Sequence, residues 1–457
     1  MGNNTPKVPP QEQQRTNWLK SVIKGLIDEG LGLVVSREKQ KQLLGTSLYR
    51  NAFYLVITNL AVPLTNFFFW IIVARFYSTN DVGLASATAS MVSLLALFST
   101  FGFEFGLIRY LANAGHNSNR MVNTSLTLGS LAGIVFSFIF LAGVSVWSPA
   151  LMSLRQNPIY LAIFIVFTIV TAVTTLLGSA FIAQRRAYFT MINSLISVIL
   201  QLALTFLFIL FMRSFGGVVI AMVSSSAIAL VVSVLFFLPQ ILPGFRPIPT
   251  INRKIVSEII HFSFTNYIAN LLLSFTIYVL PLMVINILSV ESNAYFYIAW
   301  TMGGMLSTIA GATTISLFAE GSFDENKLIT NVWRCLKMTY LLVIPAAVIV
   351  FLLADKLLLL YGSAYSLKGT ALLRIMCIAA LPGSLNSIYM SILRVKKRTS
   401  TLILLTIVVA VITLITVYLL LPRIGITATG IGWLASQSIV AVFVAGRLLK
   451  LQKTGQI

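Results

Sequence analysis

Residues 158–183 read PIYLAIFIVFTIVTAVTTLLGSAFIA, residues 184–186 read QRR, and residues 187–212 read AYFTMINSLISVILQLALTFLFILFM. Neither long run contains an Asp, Glu, Lys or Arg, and between them stand Arg185 and Arg186. About 20 apolar residues suffice to cross the hydrocarbon of a bilayer as a helix. The stretch therefore reads as a helical hairpin through a membrane, with a basic turn that stays in water. The same reading extends in both directions. Spans are predicted near 48–77, 82–112, 121–147, 158–183, 187–212 and 216–240, and again near 258–288, 293–318, 334–360, 367–393, 399–421 and 426–447. The fold class that follows is all-α, a polytopic membrane protein of about twelve transmembrane helices in two parallel six-helix lobes.

Composition agrees. Hydrophobic residues make up 58 % of the chain and charged residues 10 %, against about 25 % charged in an ordinary soluble domain. A water-soluble chain of this length has nowhere to hide so much apolar surface, whereas lipid solvates the outer faces of a helical bundle. The 32 Lys and Arg outnumber the 12 Asp and Glu, for a net charge of +20. No nucleic-acid motif accompanies that excess, so nucleic acid is not an expected partner, and the basic loops read as contacts to anionic membrane lipids. With twelve spans and a cytoplasmic N-terminus, 25 of the 32 basic residues fall on the inner side and seven on the outer. Both termini are thus expected in the cytoplasm, with the protein in the cell membrane.

Residues 1–47 form the predicted cytoplasmic tail. Residues 1–16 carry Pro6, Pro9 and Pro10 and read as disordered, while Trp18, Leu19, Val22, Ile23, Leu26 and Ile27 share one face of an interfacial amphipathic helix over 17–29. The first lobe then takes 48–240, a proline-rich linker 241–257, the second lobe 258–449, and a short tail 450–457. An internal repeat supports the division. At an offset of 211, Phe53 meets Phe264, Asn59 meets Asn270, Thr65 meets Thr276 and Ser78 meets Ser289, and the Arg185-Arg186 turn falls near Lys396-Lys397-Arg398. Six spans per half make the repeat parallel, and in such proteins substrate sites lie between the halves.

Little in the chain suggests catalysis. The dipeptide Gly-Lys of a phosphate-binding loop never occurs, His116 and His261 stand far apart, and Cys335 and Cys377 have no metal spacing. No cofactor is expected, and the predicted loops leave no room for a catalytic domain. Polar groups at membrane depth are the candidates instead, because they are costly there unless they face a cavity or a partner. Asn59, Pro63 and Asn66 share a face of span 1, and Asn266, Asn270, Ser274 and Tyr278 form a stripe on span 7. Both stripes are expected on the wall between the halves, or else in helix–helix hydrogen bonds within one half. Arg374, inside an apolar helix, seeks an anion or reaches back to the headgroups, and Arg75 at the outer end of span 1 has the same two readings. Glu104 pairs with an arginine of another span or relays a proton; Arg109, five residues on, lies on a different face.

Trp70-Ile-Ile-Val-Ala-Arg75-Phe-Tyr, Asp81-Val-Gly83 and Phe103-Glu104-Phe-Gly-Leu-Ile-Arg109-Tyr-Leu-Ala resemble the first two spans of polysaccharide-type flippases of the multidrug/oligosaccharidyl-lipid/polysaccharide exporter superfamily. The basic turn after span 4 and Gly425-Ile-Thr-Ala428-Thr-Gly430 in span 12 are similar too, and the resemblance covers about residues 45–450. It implies a transporter that moves a polyprenyl-(pyro)phosphate-linked oligosaccharide from the inner to the outer leaflet by alternating access, with glycan polymerases or glycosyltransferases as partners. Arg75, Glu104 and Arg109 fall on the family's charged positions. Where relatives often carry an Asp-Arg pair in span 7, this chain has Leu280-Pro281. The expected site is a cationic, polar cavity holding Arg75, Arg109, Arg374, Asn59, Asn66, Asn266, Asn270 and Tyr278 for the substrate, with Glu104 as the ion-coupling candidate. The rivals are a cation-coupled multidrug antiporter, which usually needs acidic residues in its lobes where span 1 here has none, a membrane glycan polymerase or ligase, and a non-transporting scaffold of an envelope assembly complex.

Overall fold

The computed structural model describes residues 47–323, 328–396 and 398–454. The predicted tail 1–16 and amphipathic helix 17–29 lie outside them. Residues 54–457 form one compact unit; residues 1–53 fall in a second unit, described only from Ser47, where the first helix begins.

Twelve long helices follow one another among the described residues. The first six are α1 (Ser47–Phe76), α2 (Thr79–Thr100), α3 (Ser118–Trp147), α4 (Pro158–Ala183), α5 (Ala187–Phe211) and α6 (Phe215–Val232). The second six are α7 (Arg253–Ile287), α8 (Val290–Phe323), α9 (Leu328–Leu352), α10 (Ser363–Val395), α11 (Thr399–Ile424) and α12 (Thr427–Thr454). Ten helices among the described residues are long and apolar enough to cross a membrane. The chain is a multi-pass membrane protein. Leu210 and Phe211 on α5 and Val442 on α12 are exposed; lipid, not water, is the solvent that tolerates them.

The helices run alternately between two ends. The Arg75 end holds the turns at 77–78, 212–214 and 288–289; the Arg185 end holds the turn at 184–186 and, in the second half, Lys396 and Arg398 between α10 and α11. In the first half α3 packs on α4 and α5 on α6. In the second, α10 packs on α8 and α12, and α11 on α12. Among the described residues the halves meet mainly where α2 lies against α7 and α8.

Matched local structure shows the repeat better than sequence identity does. Ser78 caps α2 by accepting the Asp81 N–H at 3.1 Å, and Ser289 at the start of α8 accepts the Ser292 N–H at 3.0 Å. An N-cap hydroxyl satisfies one of the orphan N–H groups of a helix start, so both halves open the same helix by the same device. The basic turns match as well. Arg186 N–H donates to the Phe181 carbonyl at 2.9 Å, and Arg398 N–H donates to Leu393 at 2.9 Å. This bond, spanning a whole turn and more, closes the exposed carbonyls of a helix C-terminus.

Two predicted spans prove to be broken. Span 2, expected to run over 82–112, stops at Thr100 and resumes as a short helix, Phe103–Tyr110. Phe101 and Gly102 between them are left-handed, with φ of 47° and 77°. Gly102 also lets α7 close in, since a Cβ there would lie 2.7 Å from Cβ of Tyr267. Span 9, expected over 334–360, ends at Leu352 and continues as Ala354–Leu359. The linker from Leu242 to Asn252 has no regular helix, as its prolines require. It is tied to α3: Asn123 donates to the Arg246 carbonyl at 2.9 Å, and Thr250 N–H donates to Thr127 Oγ1 at 3.1 Å.

Candidate functional site

At the Arg75 end the two halves touch through small and polar groups. A Cβ on Gly83 of α2 would sit 2.0 Å from the carbonyl oxygen of Val290 at the start of α8, so only glycine admits this crossing. Beside it the buried Asn293 donates to the Gly83 carbonyl at 2.9 Å and to Ser86 Oγ at 3.1 Å. Asn286 donates to the Trp147 carbonyl at 2.8 Å. Arg75, at the end of α1, reaches across to the short helix Ala354–Leu359: Nε donates to the Leu360 carbonyl and Nη2 to that of Leu359, both at 2.7 Å. A cation there satisfies carbonyls left open at a helix C-terminus and meets its negative dipole end. Tyr361 follows, donating its hydroxyl to the Phe67 carbonyl at 3.3 Å and setting its ring edge-on to that of Phe67.

Beneath Tyr361 lies a cavity of about 600 Å³, within the range of roughly 300–1,000 Å³ usual for sites that enclose small ligands. Both halves build it, from α1, α2, α4 and α6 on one side and α7, α8, α10 and α12 on the other. Pro281 is six residues from the end of α7, about 9 Å at helical rise, so the cavity sits at membrane depth. Aromatic rings form much of the wall. Trp70 meets Tyr297 edge-on with centroids 4.9 Å apart, and Trp300 meets Trp433 at 5.5 Å. Between the rings stand hydroxyls, among them Ser90, Ser93, Thr171, Thr301 and Thr308. Among the described residues, none that lines the cavity is acidic or basic. Among the described residues the cationic wall expected from the sequence is thus replaced by a neutral one, and Pro281 is part of it.

The candidate residues divide accordingly. Asn66 and Tyr278 line the cavity. Asn59 is exposed on α1, and Asn266 and Asn270 are half-buried on α7 outside the lining. Arg75 is bound to the carbonyls described above. Arg374 is exposed; its Nε donates to the Phe351 carbonyl at 3.3 Å and its guanidinium lies 5.5 Å from the Phe351 ring centroid. Arg109 is exposed with its guanidinium 5.7 Å from the Tyr110 ring centroid. Glu104 is buried beside the break after α2, and its Oε2 has no hydrogen-bond partner. It lies outside the cavity, on the face of its short helix opposite the exposed Arg109. Among the described residues no group of His, Cys, Asp and Glu could hold a metal ion. Sequence reasoning passed over Trp300, Trp433, Tyr297 and Tyr361. Aromatic residues spaced along apolar spans were the available signal, but in a bilayer protein they equally suit a packed core or a lipid face.

The family description "Polysaccharide biosynthesis protein" matches residues 48–318, more than half of the chain. The chain belongs to that family. No curated protein sequence matches it. This member of the family has the fold of solved transporters. An inward-facing multidrug resistance MATE family transporter of the MOP superfamily superposes with a TM-score of 0.65 at 15 % identity, over 87 % of this chain and 99 % of that one. An outward-facing conformation of a MATE transporter gives 0.64 at 15 % identity, over 92 % and 100 %. A MOP superfamily transporter from Pyrococcus furiosus, described as having a binding pocket of reverse polarity, gives 0.60 at 15 % identity, over 89 % and 96 %. The fold is thus that of the solved transporters, with twelve long helices among the described residues.

Proposed function

We propose that this protein is a flippase, moving a polyprenyl-(pyro)phosphate-linked oligosaccharide from the inner to the outer leaflet of the cell membrane by alternating access. The observation that carries the reading is the neutral cavity built at membrane depth by both halves, in a member of a polysaccharide biosynthesis family. A sugar headgroup cannot cross hydrocarbon unaided, because its polar groups lose water there without replacement. A cavity between lobes offers replacement contacts while the polyprenyl tail stays in lipid. The cross-half contacts at the Arg75 end fit a state closed on that side. The excess of Lys and Arg at the Arg185 end supports an orientation with that end, and both termini, in the cytoplasm. Asn66 and Tyr278 are the substrate-contacting members of the original set. The chain performs no bond-making step, and polymerases or glycosyltransferases supply and consume its cargo.

The absence of acidic side chains from the wall weighs against a multidrug antiporter, since an organic cation desolvated there would have no counter-charge. The test is a strain lacking the gene. Surface glycan should be lost while a lipid-linked saccharide accumulates on the inner leaflet. Normal glycan and a normal lipid-linked pool, with raised sensitivity to cationic drugs, would overturn the reading in favour of the antiporter. Restoration of export by a protein whose cavity is filled, for instance Gly304→Trp, would favour a scaffold.

A further inference from the structure

Five hydroxyls of the cavity wall are already committed as donors. Ser90 donates to the Ser86 carbonyl, Ser93 to Ala89, Thr171 to Phe167, Thr301 to Tyr297 and Thr308 to Met305, at 2.7–2.9 Å. Each of these oxygens has one proton, already spent on its own helix, and acceptor lone pairs still available. Those five positions offer acceptors, beside donors on Asn66, Tyr278 and the indole N–H groups of Trp70, Trp300 and Trp433, with aromatic faces and no charged side chain among the described lining residues. Such a surface selects among ligands. A phosphate or carboxylate carries charge and finds no counter-ion there, and burying it unpaired is costly. A lipophilic cation finds rings but no carboxylate. An uncharged sugar matches on both counts: its hydroxyls are donors for the lone pairs, and its C–H faces bury against the rings, as apolar surface does.

Resting on the flippase reading above, we propose that the cavity holds only the uncharged sugar portion of the lipid-linked substrate, stacked between Trp70–Tyr297 and Trp300–Trp433. The diphosphate travels outside the cavity, at the level of the lipid headgroups. The class of cargo this assigns is a neutral oligosaccharide, without uronic or sialic acids.

Three of the six tryptophans, Trp70, Trp300 and Trp433, line the cavity, so intrinsic fluorescence of the full chain in lipid nanodiscs reports binding directly. The probes are a short-chain prenyl diphosphate bearing a neutral trisaccharide, the matched uronic-acid trisaccharide conjugate, the prenyl diphosphate alone, and tetraphenylphosphonium. The neutral conjugate should bind at least tenfold more tightly than the uronate conjugate and than the prenyl diphosphate alone. Trp300→Leu should remove that preference and Trp300→Phe should keep most of it, which separates ring stacking from misfolding. Thr308→Val, which keeps the shape and loses the acceptor, should weaken the neutral conjugate severalfold and leave the bare prenyl diphosphate unchanged. Equal or tighter binding of the uronate conjugate, or no gain from the neutral sugar over the bare lipid, overturns this inference and leaves the flippase reading standing. Binding of the phosphonium with no prenyl probe bound overturns both.

Discussion

The contact at the Arg75 end and the cavity beneath it are built from the same helices by opposite rules. At the end, side chains reach across the boundary: Asn293 to Gly83 and Ser86, Arg75 to Leu359 and Leu360, Asn286 to Trp147. In the cavity, Ser90 of α2, Thr171 of α4 and Thr301 of α8 turn their hydroxyls back onto their own helices. Bonds made across a boundary hold it shut, whereas bonds made within a helix cost nothing when the boundary opens. The difference teaches where each property is located. Closure depends on a few directional contacts at one end, and the cavity between the halves stays chemically satisfied whether or not they part.

Breaking that division should produce effects in a clear order. The largest comes from fixing the closed end. With Cys335 and Cys377 replaced by alanine, cysteines at Ser86 and Asn293 joined by a short bifunctional thiol reagent should reduce glycan export to background, and a reductant should restore it for a disulfide-containing linker. Unchanged export in the linked protein would mean that this end does not open during the cycle. Next is Gly83→Leu, which sets a side chain against the Val290 backbone; overpacking costs about 1–3 kcal/mol, and export should fall roughly tenfold or more. Measured beside it, Gly304→Ala, where a Cβ meets nothing within 4 Å, should be neutral. Asn293→Leu removes two buried hydrogen bonds worth about 0.5–1.5 kcal/mol each, so a fall in thermal stability of a few degrees and an intermediate loss of export are expected. The smallest effects belong to the exposed arginines. Arg75→Gln loses its bonds to two carbonyls at a solvent-facing position, worth at most about 1 kcal/mol by analogy with surface ion pairs, and export should drop only a few fold. Arg374→Gln should change less still. A complete loss in either variant, with normal protein level, would return the arginine to the substrate.

The spans were legible because hydropathy and basic turns are local properties, and Ser78, Ser289 and the two basic turns carried the repeat even where the intervening residues had diverged. What was not legible was the direction in which a polar side chain points. Asn66 and Asn59 share a helix face by spacing and both are exposed, yet only Asn66 lines the cavity, because face-sharing does not say how far the partner half extends along the helix. Arg75 looked like a cavity cation because its carbonyl partners lie 285 and 284 residues away, a pairing no local pattern encodes. The break after Thr100 had a visible cue in Gly102, but glycine inside an apolar run is as often a packing site, and the left-handed Phe101 has no signature at all. Leu280-Pro281 is uncharged in the sequence, yet a neutral pair on one span does not say whether arginines elsewhere face the cavity.

The stitching of the linker to α3 has a mechanical consequence. Hydrogen bonds at Arg246 and Thr250 fasten the connector to the first half almost to its end, and Asn252 already caps α7 through the N–H groups of Lys254 and Ile255. The hold continues into α7 itself, where the buried Ile255 and Ile259 pack in one cluster with Phe103 and Leu107 of the first half. A swing of the second half would therefore be taken up in α7 beyond Ile259 rather than by the slack of a long leash.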